Sequence, residues 1–136
     1  MRSPLPKVVH PVLGVPMVIR VVHQAIKAGF DEPVVVVGHG RDGVIPLLEN
    51  EDIPWAVQEE QLGTAHALMQ VRDLLKDRFI VMNGDDLYCC NDMNNCIKQF
   101  DEHDACVLAQ PVDEPERFGV YVTENGLVKE IVEKPK

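Results

Sequence analysis

Asp85 and Asp86 stand directly behind the most apolar run of the chain, Phe79-Ile80-Val81-Met82, with Asn83-Gly84 between them. Ligands of an open parallel sheet bind beyond the carboxyl ends of its strands. A carboxylate placed there, beside a glycine that lets a ligand approach, suits magnesium, which takes one or two carboxylates plus substrate oxygens. The same Gly-Asp pattern also suits a plain turn or a helix cap. Lys7 and Lys134 lie in proline-flanked segments, Leu5-Pro6-Lys7 and Glu133-Lys134-Pro135, where a restrained backbone can aim an ammonium at a phosphate or simply leave it solvated. Gln58, with Gln61-Leu62-Gly63-Thr64, offers amide and backbone groups able to read the edge of a base; a loop before a capped helix is the plainer reading. His10, His23, His39, His66 and His103 have neither metal-ligand spacing nor a nucleophile beside them, so they read as structural.

These residues need elements to position them. Four prolines and Gly14 keep residues 1–16 from forming a helix or central strand and predict an extended segment. From Pro16, Val18, Val22, Ala25 and Ile26 recur at helical spacing and Gly29 closes a helix of about three turns. Pro33 to Gly38 is a β-branched run without alternation, as in a parallel strand covered on both faces. Residues 41–50 predict a helix made irregular by Gly43 and Pro46, and Trp55 to Gln58 a short strand. A helix face follows through Ala65, Leu68, Met69, Arg72 and Leu75 with Thr64 as cap, then a buried strand at Phe79 to Met82. Met93, Cys96, Ile97 and Phe100 predict a helix capped by Asn91 or Asp92, and residues 104–112 a strand. Asn125-Gly126 joins Val120–Glu124 to Leu127–Val132 as a hairpin. The order of elements predicts an α/β fold, a Rossmann-like, mostly parallel sheet sandwiched by helices.

Composition narrows the partners. With 136 residues, 46% of them hydrophobic, the chain can bury one core. Thirteen basic against 22 acidic residues give a formal charge of −9, which argues against nucleic acid or an anionic membrane as partner. Cys89, Cys90, Cys96 and Cys106 show neither C-x-x-C nor zinc spacing, and there is no signal peptide or long apolar run. The expectation is a reduced, soluble, cytoplasmic chain with loop and half-buried thiols; a redox role for the adjacent Cys89 and Cys90 is the alternative.

In order along the chain, these segments resemble the sugar-1-phosphate nucleotidyltransferase (pyrophosphorylase) family. Leu5 through Met17 is similar to the segment that follows the family's phosphate loop, Gln58 through Ala67 to its base-reading stretch, and Asn83-Gly84-Asp85 to its metal-binding turn. Phe118-Gly119-Val120 and Ile131 through Pro135 are similar to its sugar-binding elements. Gly38-His39-Gly40 and the Gln61 to His66 string look most like the N-acetylglucosamine-1-phosphate uridyltransferase domain of bifunctional enzymes, while Asn-Gly-Asp-Asp and Glu-Lys-Pro also resemble glucose-1-phosphate thymidylyltransferases. The resemblance implies that Lys7 and Lys134 are catalytic, that Gln58, Gln61, Gly63 and Thr64 bind the nucleotide, that Gly119 and Glu133 hold the sugar, and that Asp85 holds magnesium. The implied partners are UTP or dTTP and a sugar-1-phosphate, with a homo-oligomer as a further option. The implied reaction joins UTP to N-acetylglucosamine-1-phosphate; glucose-1-phosphate transfer is one alternative, and a non-catalytic sugar-nucleotide binding protein is another.

The same resemblance leads us to expect one partial domain over residues 1–136, cut at both ends. Met1 aligns with the last residue of the family's phosphate loop, Arg2 falls on the wrong side for its catalytic arginine, and Lys136 precedes the expected second metal ligand. The chain by itself is accordingly expected to be inactive. The family's first strand would lie between the strands at 33–38 and 79–83, so the expectation is that these two pair directly, that copies associate, or that the chain is marginally stable.

Overall fold

The computed structural model describes residues 5–101 and 103–135; Met1, Arg2 and Lys136 lie outside them. The chain divides into two compact units, residues 1–95 and 96–136.

In the first unit the proline-rich start is not simply extended. Lys7–Val9 forms a 3-10 turn, and β1 (Pro11–Val12) pairs antiparallel with β2 (Val15–Pro16). Leu13 and Gly14, at φ 50° and 81°, make the tight two-residue connection, whose positive φ values match the strand twist. The hairpin leads into α1 (Met17–Lys27), which buries Val18, Ile19, Val21, Val22 and Ala25. Ile26, expected on that face, is exposed. Gly29 at φ 101° ends the helix, and the Phe30 N–H reaches back to the Ala25 carbonyl.

β3 (Val35–Val37), α2 (Arg41–Glu49) and β4 (Trp55–Val57) make a β-α-β unit in which the strands pair in parallel, Val35 opposite Trp55 and Val37 opposite Val57. Pro46 stands inside α2 and cannot supply the N–H for its turn of the helix. The helix persists because Val44 and Leu48 on its inner face are buried, Leu48 completely, against Val18, Ile19, Val22, Val37 and Ile53. This cluster is the core of the unit.

Further along, three expectations are corrected. α3 covers only Thr64–Met69, followed by a 3-10 turn at Arg72–Leu74. Thr64 is its first helical residue, not its cap; Gly63, at φ 101°, takes the cap position, in a conformation that side chains rarely adopt. Phe79–Met82 forms no strand, and among the described residues none of its backbone groups joins a backbone hydrogen bond. Its apolar residues want burial, but a strand also needs a ladder partner, and among the described residues β3 is paired only to β4. Direct pairing of the two segments therefore does not occur. Both instead line a cavity of about 820 Å³.

α4 (Cys90–Phe100) starts one residue before the caps expected for it, with the Met93 N–H bonded to the Cys89 carbonyl, and buries Met93 completely. In the second unit residues 104–112 form no strand. That unit is built on the hairpin β5 (Gly119–Glu124) and β6 (Leu127–Glu133), joined by Asn125 and Gly126 at φ 53° and 80°. Lys129 is the extra residue of a bulge, where the register moves from Val122 opposite Glu130 to Thr123 opposite Val128. All four cysteines are free thiols, and burial pushes the Cys96 thiol up to about 11. Among the described residues no helix is long and apolar enough to cross a membrane.

Candidate active site

Three groups of side chains gather the residues singled out in the sequence. The first joins positions 78 residues apart: Lys7 Nζ donates to Asp85 Oδ2 at 2.8 Å. Lys7 is aimed there by its surroundings. A Cβ at Gly40 would lie 2.6 Å from Pro6 Cγ, and one at Gly84 would lie 3.5 Å from Val8 Cγ1, so the side chains on either side of Lys7 each pack on a glycine that admits them closely. The hydrogen bond to Asp85, and then the charge of that carboxylate, raise the Lys7 ammonium above its ordinary range. The pair is exposed, so it sets position and charge more than it stabilises the fold.

The Asp85 loop is tied by side chains. The Asn83 N–H donates to Tyr88 Oη at 2.9 Å, and Asn83 Nδ2 donates to Asp86 Oδ2 at the same distance. Burial is the main cause of the rise in the Tyr88 phenol, so this acceptor stays neutral at physiological pH. Asp86 is thus engaged within the loop, while Asp85 faces a cation. The described residues contain no group of three or more candidate metal ligands. One accessible carboxylate already holding a positive charge nevertheless fits magnesium, which keeps waters and substrate oxygens in most of its coordination sites.

The second group follows β4. The Gln58 N–H continues the ladder to the Val37 carbonyl at 2.8 Å, which fixes the residue at the strand end and leaves it only 9% exposed. Its Nε2 donates to the Gly63 carbonyl at 3.1 Å and lies 3.0 Å from His66 Nδ1. Gln61 folds against the Gly38 turn, its Nε2 3.1 Å from where a Cβ would sit. Thr64 is exposed at the start of α3. A cleft of about 460 Å³ runs along Gly38, His39, Gly40, Gln58 and Gln61, and Arg41 Nη1 bonds Glu59 Oε2 at 2.8 Å on its wall. Gln58, Gln61, Gly63 and Thr64 also line the 820 Å³ cavity, together with Val8, Asn83 and Gly84. The base-side residues and the neighbours of the Lys7–Asp85 pair therefore border one space.

The third group lies in the second unit. The hairpin register sets Gly119 opposite Glu133, and a Cβ at Gly119 would come within 3.1 Å of Glu133 Oε2. The Lys134 N–H donates to the Phe118 carbonyl at 2.9 Å, holding Lys134 at φ 46°. The three residues named for this region are brought together.

The sequence reading missed the partners. Nothing in local spacing connects Lys7 to Asp85, and the His66 contact with Gln58 has no periodic signature. The Gly38-His39-Gly40 turn did carry a signal, since a glycine on each side of a histidine marks a close backbone approach.

The family description "Nucleotidyl transferase" matches residues 2–136, across both units. The bifunctional protein GlmU of Marinobacter nauticus is 39% identical over 138 residues, covering 98% of this chain and 30% of that protein. That of Halalkalibacterium halodurans is 40% identical with the same coverage. The chain thus spans about 30% of the length of the curated relatives it matches. A solved structure of a glucose-1-phosphate thymidylyltransferase from Bacillus anthracis, in complex with sucrose, superposes with a TM-score of 0.82 at 28% identity, covering 96% of this chain and 56% of that one. A UDP-glucose pyrophosphorylase from Acinetobacter baumannii gives 0.65 at 17% identity, over 98% and 61% of the two chains, a likeness of fold alone.

Proposed function

This chain belongs to the nucleotidyl transferase family, and on that premise we propose that it forms the nucleotide-binding core of an enzyme that transfers a uridylyl group from UTP to N-acetylglucosamine-1-phosphate, releasing pyrophosphate. The observation that carries the reading is the meeting of Lys7 and Asp85. A phosphate-seeking ammonium and a metal-seeking carboxylate, far apart in sequence, converge where each neutralises the other until substrates arrive.

In this reading a phosphate oxygen of the sugar phosphate attacks the α-phosphorus of the nucleotide in line, and pyrophosphate leaves. No protein nucleophile is required, so the residues act by position and charge. Lys7 exchanges Asp85 for the triphosphate, and Asp85 is the residue that would hold magnesium. When bound there, the cation supplies neutralisation of charge on the phosphate oxygens. Gln58 and Gly63 contact the pyrimidine, with Gln61 and Thr64 completing the nucleotide side. Gly119 and Glu133 hydrogen-bond the sugar, and Lys134 lies near its phosphate. The local charges explain how a protein of net charge −9 takes two anions, since solvent ions screen the distant carboxylates. The setting is cytoplasmic.

A second reading, glucose-1-phosphate thymidylyl or uridylyl transfer, is favoured by the 28% identity to the Bacillus anthracis protein. Both are tested on the protein at its full natural length by pyrophosphate release from UTP and dTTP, each with N-acetylglucosamine-1-phosphate and glucose-1-phosphate. The proposed pair should turn over fastest, and Asp85→Asn should remove the magnesium-dependent rate. Nucleotide binding without turnover of any pair would replace the enzyme reading with that of a sugar-nucleotide binding protein.

A further inference from the structure

Gln58 carries two kinds of hydrogen-bonding group on one flat amide: an acceptor oxygen, and a nitrogen with two protons. Which of them faces outward is settled by what the other touches. The Gly63 carbonyl can only accept, so the amide group 3.1 Å from it is the nitrogen. His66 Nδ1 lies 3.0 Å from that same nitrogen. If it accepts the second amide proton, the ring carries its own proton on Nε2. Gln70 Nε2 donates to the His66 carbonyl at 3.0 Å and also approaches His66 Nε2 at 3.3 Å, an exposed contact that by itself would favour the opposite tautomer; the shorter, part-buried contact with Gln58 outweighs it. Both Gln58 amide protons are thereby used inside the protein.

The oxygen remains. Gln58 Oε1 has no partner among the described residues, and it is absent from the buried polar atoms that lack one, which are His10 Nε2 and Arg20 Nε. It therefore keeps contact with solvent, on a residue that lines both the 460 Å³ cleft and the 820 Å³ cavity. A carbonyl presented there accepts from the N3–H of an imide base, uracil or thymine. Cytosine offers an acceptor at the same position and would leave two oxygen or nitrogen lone pairs facing each other, the mismatch that polar sites reject most strongly.

We propose that His66 is a specificity-determining positioning residue: through Nδ1 it holds the Gln58 amide with its carbonyl outward, so that the site takes uracil or thymine nucleotides and refuses cytosine ones. The proposal rests on the reading of Gln58 as a base contact. Losing His66 leaves one anchor, the Gly63 carbonyl, against rotation of the amide. A single neutral hydrogen bond sets the expected effect at about 3- to 10-fold.

The test is calorimetric binding of CTP and of the better bound of UTP and dTTP to the protein and to Gln58→Ala, His66→Leu and His66→Asn. Asparagine places an acceptor oxygen where Nδ1 stood. The expected results are loss of the preference in Gln58→Ala, a preference reduced about 3- to 10-fold in His66→Leu, mainly through tighter CTP binding, and its recovery in His66→Asn. Nitrogen NMR of His66 in the unsubstituted protein should show a protonated Nε2 and a bare Nδ1. A preference that survives Gln58→Ala sinks the base-contact reading itself. If Gln58→Ala abolishes it but His66→Leu leaves it whole, weakens both nucleotides equally, or is not rescued by asparagine, the role of His66 is overturned alone. A proton found on Nδ1 overturns it as well.

Discussion

The strand-ordered half of the first unit and the segment at 79–86 position their functional residues in opposite ways. Gln58 extends a parallel ladder backed by a closed core, with Leu48 fully buried beneath it and its own backbone bonded to Val37. Asp85 follows a run whose Phe79 and Val81 are half exposed, and its loop is held by side chains: Tyr88, Asn83 and the Lys7 ion pair. The difference matches the two tasks proposed for these residues. Reading a base depends on fixed donors and acceptors, whereas a residue that exchanges a lysine for a cation must let go of a contact. The largest expected effect tests whether the first half is truly the rigid one. Leu48→Ala opens a cavity under the β3–α2–β4 unit and should cost about 2–5 kcal/mol, read as a lower midpoint in denaturant. A shift under about 1 kcal/mol would remove the contrast.

The join between the two regions is the next test. Pro6 packs on Gly40, whose φ of 73° and 2.6 Å approach to the proline ring leave no room for a methyl. Gly40→Ala should cost about 1–3 kcal/mol through the left-handed conformation and the displaced Pro6 segment together. Because Lys7 follows Pro6, the same substitution should weaken nucleotide triphosphate binding while leaving the contact between Cys90 of α4 and Gln24 of α1 unaffected. An alanine variant as stable as the parent and binding equally well would show that the 5–9 segment is not held by this turn.

How much of this was legible follows the same divide. α1 could be read because Val18, Val22 and Ala25 repeat at the spacing of a helix, and β5–β6 because Asn125-Gly126 adopts the two positive φ values a tight hairpin requires. The parallel β3–β4 unit announced itself as an uninterrupted β-branched run followed by a helix. Phe79–Met82 is as apolar as β3 but has no ladder, since apolar character reports a preference for burial and says nothing about a neighbouring strand. Thr64 looked like a cap until Gly63, free to reach φ 101°, took that place. In the site, the residue types of Lys7, Gln58 and Asp85 were visible. Their partners were not, because Lys7–Asp85 is a product of chain topology and His66–Gln58 of a bend around Gly63.

The smallest expected effect is also the sharpest test of the comparison, because one substitution can be made in both regions. Valine and threonine have nearly the same shape, so Val→Thr asks only what it costs to place a hydroxyl at a site. Val37 is 5% exposed within the β3 ladder, and Val81 is 50% exposed in the unpaired segment. At Val37 the hydroxyl loses water without an evident partner, and the expected cost is about 1–3 kcal/mol. At Val81 it stays hydrated, and the change should remain within about 0.5 kcal/mol. Equal costs in denaturant melts of the two variants would mean that residues 79–82 are as buried as β3 in solution, covered by something on the cavity side. The side-chain ties around Asp85 would then be secondary to a packed wall, and the division of labour between a rigid base site and a releasable charge site would fail.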